Sequence, residues 1–242
     1  MCDRVIVGDE VSLLHRPVYT YAQVDRLLKL SSGTARRWIQ GYRRRGVNYR
    51  PVVRPGTIDS TWVVWGEYIE ARLLSEWRDT DNVPMHNLRR IADSLRAETG
   101  LEFPLAYHQT LMQPLGREMV WRAQQDSELP DDFATEVGSG QIVWTAPVER
   151  FIEAATFQPD VTPEARRLIA EMDADDGFPH IKLNPRRRGG EPVVHGHNVR
   201  AATIAALVAA GEDPAEVARW YLMSEDQVDE AVRYVESHPR VA

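Results

Sequence analysis

Thr34, Arg36, Arg37 and Gln40 lie on one side of a short segment with helical spacing. That pattern suits reading DNA, because a guanidinium can bind the edge of guanine bidentately in the major groove. A basic run, Arg43, Arg44 and Arg45, follows at once, with Arg50 and Arg54 beyond it. Cations placed like this suit phosphates, which fix the register of a protein on DNA but carry little sequence information. Of the 29 Lys+Arg residues, 27 are Arg, so nearly every cation is a planar fork suited to phosphate and base edges.

The other candidate chemistry is weaker. Arg186, Arg187 and Arg188 precede Gly189-Gly190, and could form a second phosphate-contacting loop or a turn in which glycine supplies positive φ. His180, His195 and His197 have no acidic or cysteine partner at ligand spacing, so no metal site is expected. Asp131-Asp132 and Asp173, Asp175 and Asp176 lie beside Pro or Gly in polar stretches, as solvated loops do. There is no serine-nucleophile motif, Gly-rich phosphate loop or Cys–His pair, so neither catalysis nor a cofactor is expected.

The elements that would position the arginines can be read from hydrophobic periodicity. Thr20 is a candidate N-cap, and Ala22, Val24, Leu27 and Leu28 make an apolar face. After a break at residues 30–33, a second short helix carries Ala35, Trp38 and Ile39 inward. Two short helices joined by a turn containing Gly read as a helix-turn-helix. Two β-prone segments, residues 49–53 and 61–65, flank Pro55-Gly56 and predict a hairpin, hence a wing. Residues 66–79 and 84–100 read as helices, the latter with Pro near its start and Gly at its end.

Further along, residues 103–121 read as two strands around Gly116, 126–132 as an acidic loop, and 141–144 as a strand. Residues 148–155 read as a short helix, and Thr162-Pro163-Glu164 as the cap of a helix running to Met172. Residues 173–177 read as a linker, 180–183 as a strand, and 199–210, 214–221 and 225–236 as three helices, the last two capped by Asp213 and Ser224. The expected fold is mainly α with small β elements (α+β). It divides into a winged helix-turn-helix at 15–80, an acidic middle at 81–177 and a three-helix, helix-turn-helix-like domain at 178–242.

Composition bounds the rest. The net charge of −7 conceals a split. Residues 1–60 hold 11 basic and 5 acidic side chains, +6; residues 61–180 hold 10 and 22, −12; residues 181–242 hold 8 and 9, −1. The acidic middle could be a solubilising surface, or it could mimic nucleic acid toward a basic partner. A single cysteine, Cys2, excludes an intramolecular disulfide framework. The longest apolar run, residues 203–211, is too short for a membrane span of about 20 residues. The first ten residues lack a signal-peptide apolar region, so a cytoplasmic location is expected.

Two segments resemble known families. Residues 19–38, YTYAQVDRLLKLSSGTARRW, resemble the opening of MerR-type winged helix-turn-helix domains. Asn184-Pro185, Gly189-Gly190, Pro192-Val193-Val194 and Gly196, with the helices ending near Tyr234, resemble the family called domain of unknown function 433. A chain joining the two resembles VapB-type antitoxins. That resemblance implies neutralisation of a PIN-type ribonuclease toxin encoded beside the chain, and repression of the chain's own operon through operator DNA. A homodimer is expected, since helix-turn-helix proteins commonly bind paired half-sites. His197-Asn198 stands where relatives carry Thr-Arg, so no role for that pair is carried over. Two other readings stay open: a MerR-like regulator without a toxin partner, and an adaptor that does not bind DNA.

Overall fold

Thr20 closes a capping box with Gln23 and starts α1 (Tyr21–Leu27), because its hydroxyl and backbone N–H exchange hydrogen bonds with that residue. In the computed structural model the described residues are 12–54, 60–80, 84–112, 136–137, 141–142, 146–160 and 166–238. A six-residue turn leads from α1 to α2 (Thr34–Gln40). Strand β1 (Pro17–Thr20) pairs antiparallel with β4 (Trp62–Val64), and between them β2 (Tyr42–Arg44) pairs with β3 (Val47–Tyr49).

Helix α3 (Trp65–Thr80) runs through the middle of the molecule. Its Trp65, Tyr68, Ile69, Leu73, Leu74 and Trp77 are fully buried, so elements surround it on several sides. Gly66 fits because an added Cβ would meet the Phe103 ring at 2.5 Å. Helix α4 (Met85–Thr99) starts after Pro84 and stops at Gly100, whose φ of 67° is the left-handed stop glycine allows. A 3-10 turn at Pro104–Ala106, α5 (His108–Met112), the two-residue pair β5 (Glu136–Val137) and β6 (Gln141–Ile142), and α6 (Ala146–Glu153) follow.

The main sheet is antiparallel, in the order β10 (Val193–Val194), β9 (Ile181–Leu183), β8 (Arg167–Asp173), β7 (Ala155–Pro159). Three helices close the chain: α7 (Ala201–Ala209), α8 (Pro214–Tyr221), capped by Asp213, and α9 (Glu225–Ser237), capped by the Ser224–Gln227 box. One apolar core runs from Leu13 to Tyr234, and the class is α+β with small antiparallel sheets.

Several expectations need correction. Residues 167–173 are a strand, not the end of a helix. Leu168, Ile169, Ala170 and Met172 are buried on both faces, as in an interior strand, and that run imitates helical spacing. Residues 103–107 form a 3-10 turn and a single bridge from Tyr107 to Leu168, not a strand. Residues 173–177 are a tight connection inside the sheet, not a linker. Strands on both sides of residue 177 share that sheet, so packing continues across the expected boundary.

The hairpin does not join residues 49–53 to 61–65. It turns at Arg45-Gly46, whose φ values of 50° and 82° match a type I′ turn, and β4 pairs with β1 instead. Pro55-Gly56, residues 113–121, the acidic loop at 126–132, residues 143–144 and the cap at 162–164 lie outside the described residues. Among the described residues, no helix is long and apolar enough to cross a membrane.

Candidate nucleic-acid interface

The α1–α2 corner is held by a carboxylate. Asp25, buried, accepts hydrogen bonds from the backbone N–H groups of Gly33 (2.6 Å) and Ala35 (2.7 Å). Those N–H groups at the start of α2 lack helical partners, and the negative side chain suits the helix N-terminus. Sequence reasoning missed Asp25. Its only signal was an acidic residue on the inward side of α1, eight to ten positions before its partners.

On α2, Ala35, Trp38 and Ile39 face the core as expected, while Arg36 and Arg37 are exposed. Arg36 Nε donates to Gln40 Oε1 at 3.0 Å, and Gln40 Nε2 donates to the Ser60 carbonyl at 3.2 Å. Gln40 therefore orients one guanidinium while tied to the loop before β4. Thr34 differs from its expected place on the exposed side. It is buried, and its hydroxyl accepts from Arg37 Nη2 at 2.8 Å, so it positions a cation instead of reaching solvent.

Gly41 hands α2 over to the hairpin at φ 75°, where a Cβ would meet the Tyr49 carbonyl at 2.5 Å. Pairing puts Tyr42, Arg44, Val47 and Tyr49 on one face, with Arg43 and Asn48 on the other. Tyr42 and Tyr49 stack at 4.7 Å and 8°. Arg43, Arg44 and Arg45 are exposed on this ribbon. Arg50 extends into solvent with a side chain 81% exposed, 3.7 Å from Asp93. Six exposed guanidiniums thus lie within fifteen residues, on two adjoining elements.

Arg54 does not join them. It is 3% exposed, donates to both carboxylate oxygens of Glu67 at 2.5 and 2.9 Å, and reaches the Trp62 carbonyl at 3.1 Å. Glu67 also accepts from Val64 N–H at 2.9 Å. A buried pair this well bonded cannot turn to a phosphate without stranding a charge. Arg89 and Arg96 of α4 are structural too, donating to the backbone carbonyls of Arg50, Val52 and Val53 and fixing the base of the hairpin.

The second basic segment is a turn. Arg186 N–H and its guanidinium are bonded to Asn184 and Gln158, and Arg188 Nε donates to the Asn198 carbonyl. Arg186, Arg187 and Arg188 are exposed, but Gly190 is buried against β1. Asn198 of the His197-Asn198 pair thus serves through its backbone. Of the three histidines, His180 is engaged by Glu230, which accepts from its backbone N–H at 2.6 Å and contacts its ring at 2.7 Å.

The chain is similar to known proteins along most of its length. Residues 181–235 match the family described as "Protein of unknown function (DUF433)", which covers β9, β10 and nearly all of the three closing helices. "Uncharacterized protein Rv2308" of Mycobacterium tuberculosis is 36% identical, over 94% of this chain and 93% of that protein. A second protein of that organism, described as "Putative antitoxin VapB45", is 30% identical, over 89% and 92%. The crystal structure of Rv2018 from M. tuberculosis has the same overall fold, with a TM-score of 0.70, 26% identity, and coverage of 89% of this chain and 97% of that one.

Proposed function

The chain belongs to the family that includes Rv2308 and the VapB45 protein of M. tuberculosis, and on that premise we propose that it is a DNA-binding antitoxin. Its toxin would be a PIN-type ribonuclease encoded beside it, and it would repress its own operon as a homodimer. The antitoxin part rests on full-length similarity to a relative so described. The DNA part rests on one observation: Arg36, Arg37, Arg43, Arg44, Arg45 and Arg50, on α2, the β2–β3 ribbon and the residue that follows it, are all exposed.

In this reading the two short helices and the ribbon act as a winged helix-turn-helix. Arg36 and Arg37 enter the major groove, and the ribbon arginines grip the phosphates on either side. Gln40 and Thr34 aim the two α2 guanidiniums and do not themselves contact bases.

Two measurements test the two halves. Co-expression with the product of the adjacent reading frame should abolish that product's toxicity and yield a stable complex; continued toxicity counts against the antitoxin half. The purified chain should retard its own promoter DNA with a steep salt dependence. Equal retardation of every duplex would remove the operator-specific reading.

A further inference from the structure

The closing helices carry a surface that the DNA reading leaves unused. Trp220, in the last turn of α8, is 54% exposed and Leu222, just past its end, is 86% exposed, with Tyr221 and Met223 half-buried in the same stretch. Leu222 has φ 56° and ψ 41°. Met223 N–H reaches the Ala218 carbonyl at 3.0 Å and Leu222 N–H turns back to Arg219, which is the hydrogen-bond pattern of a helix stop that ordinarily takes glycine. A Cβ in the left-handed region is disfavoured, and so exposed a leucine gains nothing from the core. Neither backbone geometry nor burial accounts for leucine here. Exposed strain of this kind persists where the side chain has work at the surface.

The surroundings are acidic. Between residues 212 and 236 there are eight carboxylates against two arginines. Of those two, Arg219 is paired with Glu216, and Arg233 lies over the Phe178 ring at 5.8 Å. Glu216 stands one helical turn before Trp220 on the same side of α8, and exposed Glu225 and Asp226 open α9 just beyond Leu222. A negative field repels DNA and favours a cationic surface.

We infer that the Trp220–Leu222 corner, rimmed by Glu216, Glu225 and Asp226, docks a protein partner that presents basic side chains around an apolar recess. The inference rests on the antitoxin reading, since a ribonuclease that holds RNA presents cations. The chain's own basic ribbon has the same sign. Docking it onto a second copy's corner, however, would be a head-to-tail contact that need not close, and would hide the guanidiniums meant for DNA.

The test measures affinity of the full-length chain for the purified product of the adjacent reading frame, at low and high salt. The variants are Trp220→Ser, Leu222→Gly, the double change Glu225→Gln with Asp226→Asn, and, as a control, Glu98→Gln at an exposed position of α4. Leu222→Gly suits its backbone, so it removes the side chain without endangering the fold. Either apolar change should weaken binding tenfold or more, as a central anchor does. The double change should flatten the salt dependence, and Glu98→Gln should bind normally. If the unaltered chain binds and all three corner variants bind equally well, the inference fails while the antitoxin reading stands. If the unaltered chain does not bind, the antitoxin reading fails and takes the inference with it. Self-association of the unaltered chain that is lost in Trp220→Ser gives the corner to a second copy and overturns the inference.

Discussion

The Tyr19 hydroxyl donates a 2.6 Å hydrogen bond to the carbonyl of Gly190, 171 positions along the chain, and both residues are buried. Gly190 has φ 78°, and a Cβ there would fall 2.1 Å from Val18 Cγ1. The strand that opens the first unit therefore rests on the turn that precedes the closing helices.

Gly190→Ala should lower stability by about 2–5 kcal/mol, combining left-handed strain with overpacking against Val18. Tyr19→Phe should lower it by about 1–2 kcal/mol, because the buried carbonyl loses its donor. Urea unfolding read out by tryptophan fluorescence measures both. Two separate transitions in the unaltered chain would contradict the coupling.

Removing ribbon cations should act on all duplexes alike. Each of Arg43→Ala, Arg44→Ala and Arg45→Ala should reduce the slope of log affinity against log salt by roughly one. Arg36→Ala or Arg37→Ala should instead weaken operator binding by about 1–3 kcal/mol and relax one base position. Titrations of operator and scrambled duplexes at several salt concentrations separate the two effects.

Arg54 belongs to the fold, so its loss should be felt in unfolding. Arg54→Ala strands Glu67 in the core and should lower stability by about 3–5 kcal/mol. At a temperature where the variant is folded, its DNA salt slope should equal that of the unaltered chain. A lower slope would return Arg54 to the phosphate contacts.

Burial pushes the Glu70 carboxyl up to about 7, against the pull of Arg96 at 2.5 Å. A carboxyl whose folded value lies above its unfolded value of about 4.5 stabilises most below pH 4.5, and that contribution is lost as pH rises through 7. At 1.36 kcal/mol per unit the change is as much as about 3 kcal/mol. Glu76, also raised to about 7 by burial, adds a slope of the same sign, while His238, lowered by burial, opposes it. Comparing the unaltered chain with Glu70→Gln isolates one group. Its stability relative to the variant should fall between pH 4.5 and 7.5, and a constant difference would show that Glu70 stays ionised throughout.

Leu222→Gly should raise stability by about 1 kcal/mol, since glycine takes φ 56° freely and the lost side chain is exposed. A lower melting temperature would mean that Leu222 packs on something in the folded chain.

The helices were legible wherever local chemistry marks their ends. Thr20, Asp213 and Ser224 cap as their residue types suggest, and Pro84 and Gly100 bracket α4. The main sheet was not. Arg167–Asp173 becomes a strand because β7 and β9 flank it, and neither neighbour is encoded in those seven residues. The ribbon was displaced for a local reason, since Arg45-Gly46 accepts the two positive φ values a tight hairpin needs while Pro55-Gly56 drew attention further on. At the candidate interface, the exposure of Arg36 and Arg37 followed from helical spacing, and that of Arg43 to Arg45 from an uninterrupted run of charge. The burial of Arg54 depended on Glu67, thirteen positions away, and that of Thr34 on how the corner closes around Asp25.

The contact between Tyr19 and Gly190 also sets an order of events during synthesis. A ribosome adding about 5–20 residues per second takes roughly 10–30 s to travel from one to the other. Throughout that interval Val18 and Tyr19 lack the turn they rest against, although Tyr68 and β4 are already in place. The basic helices acquire their full support only when the last quarter of the polypeptide emerges, so a nascent or prematurely terminated product presents arginines on an unfinished scaffold.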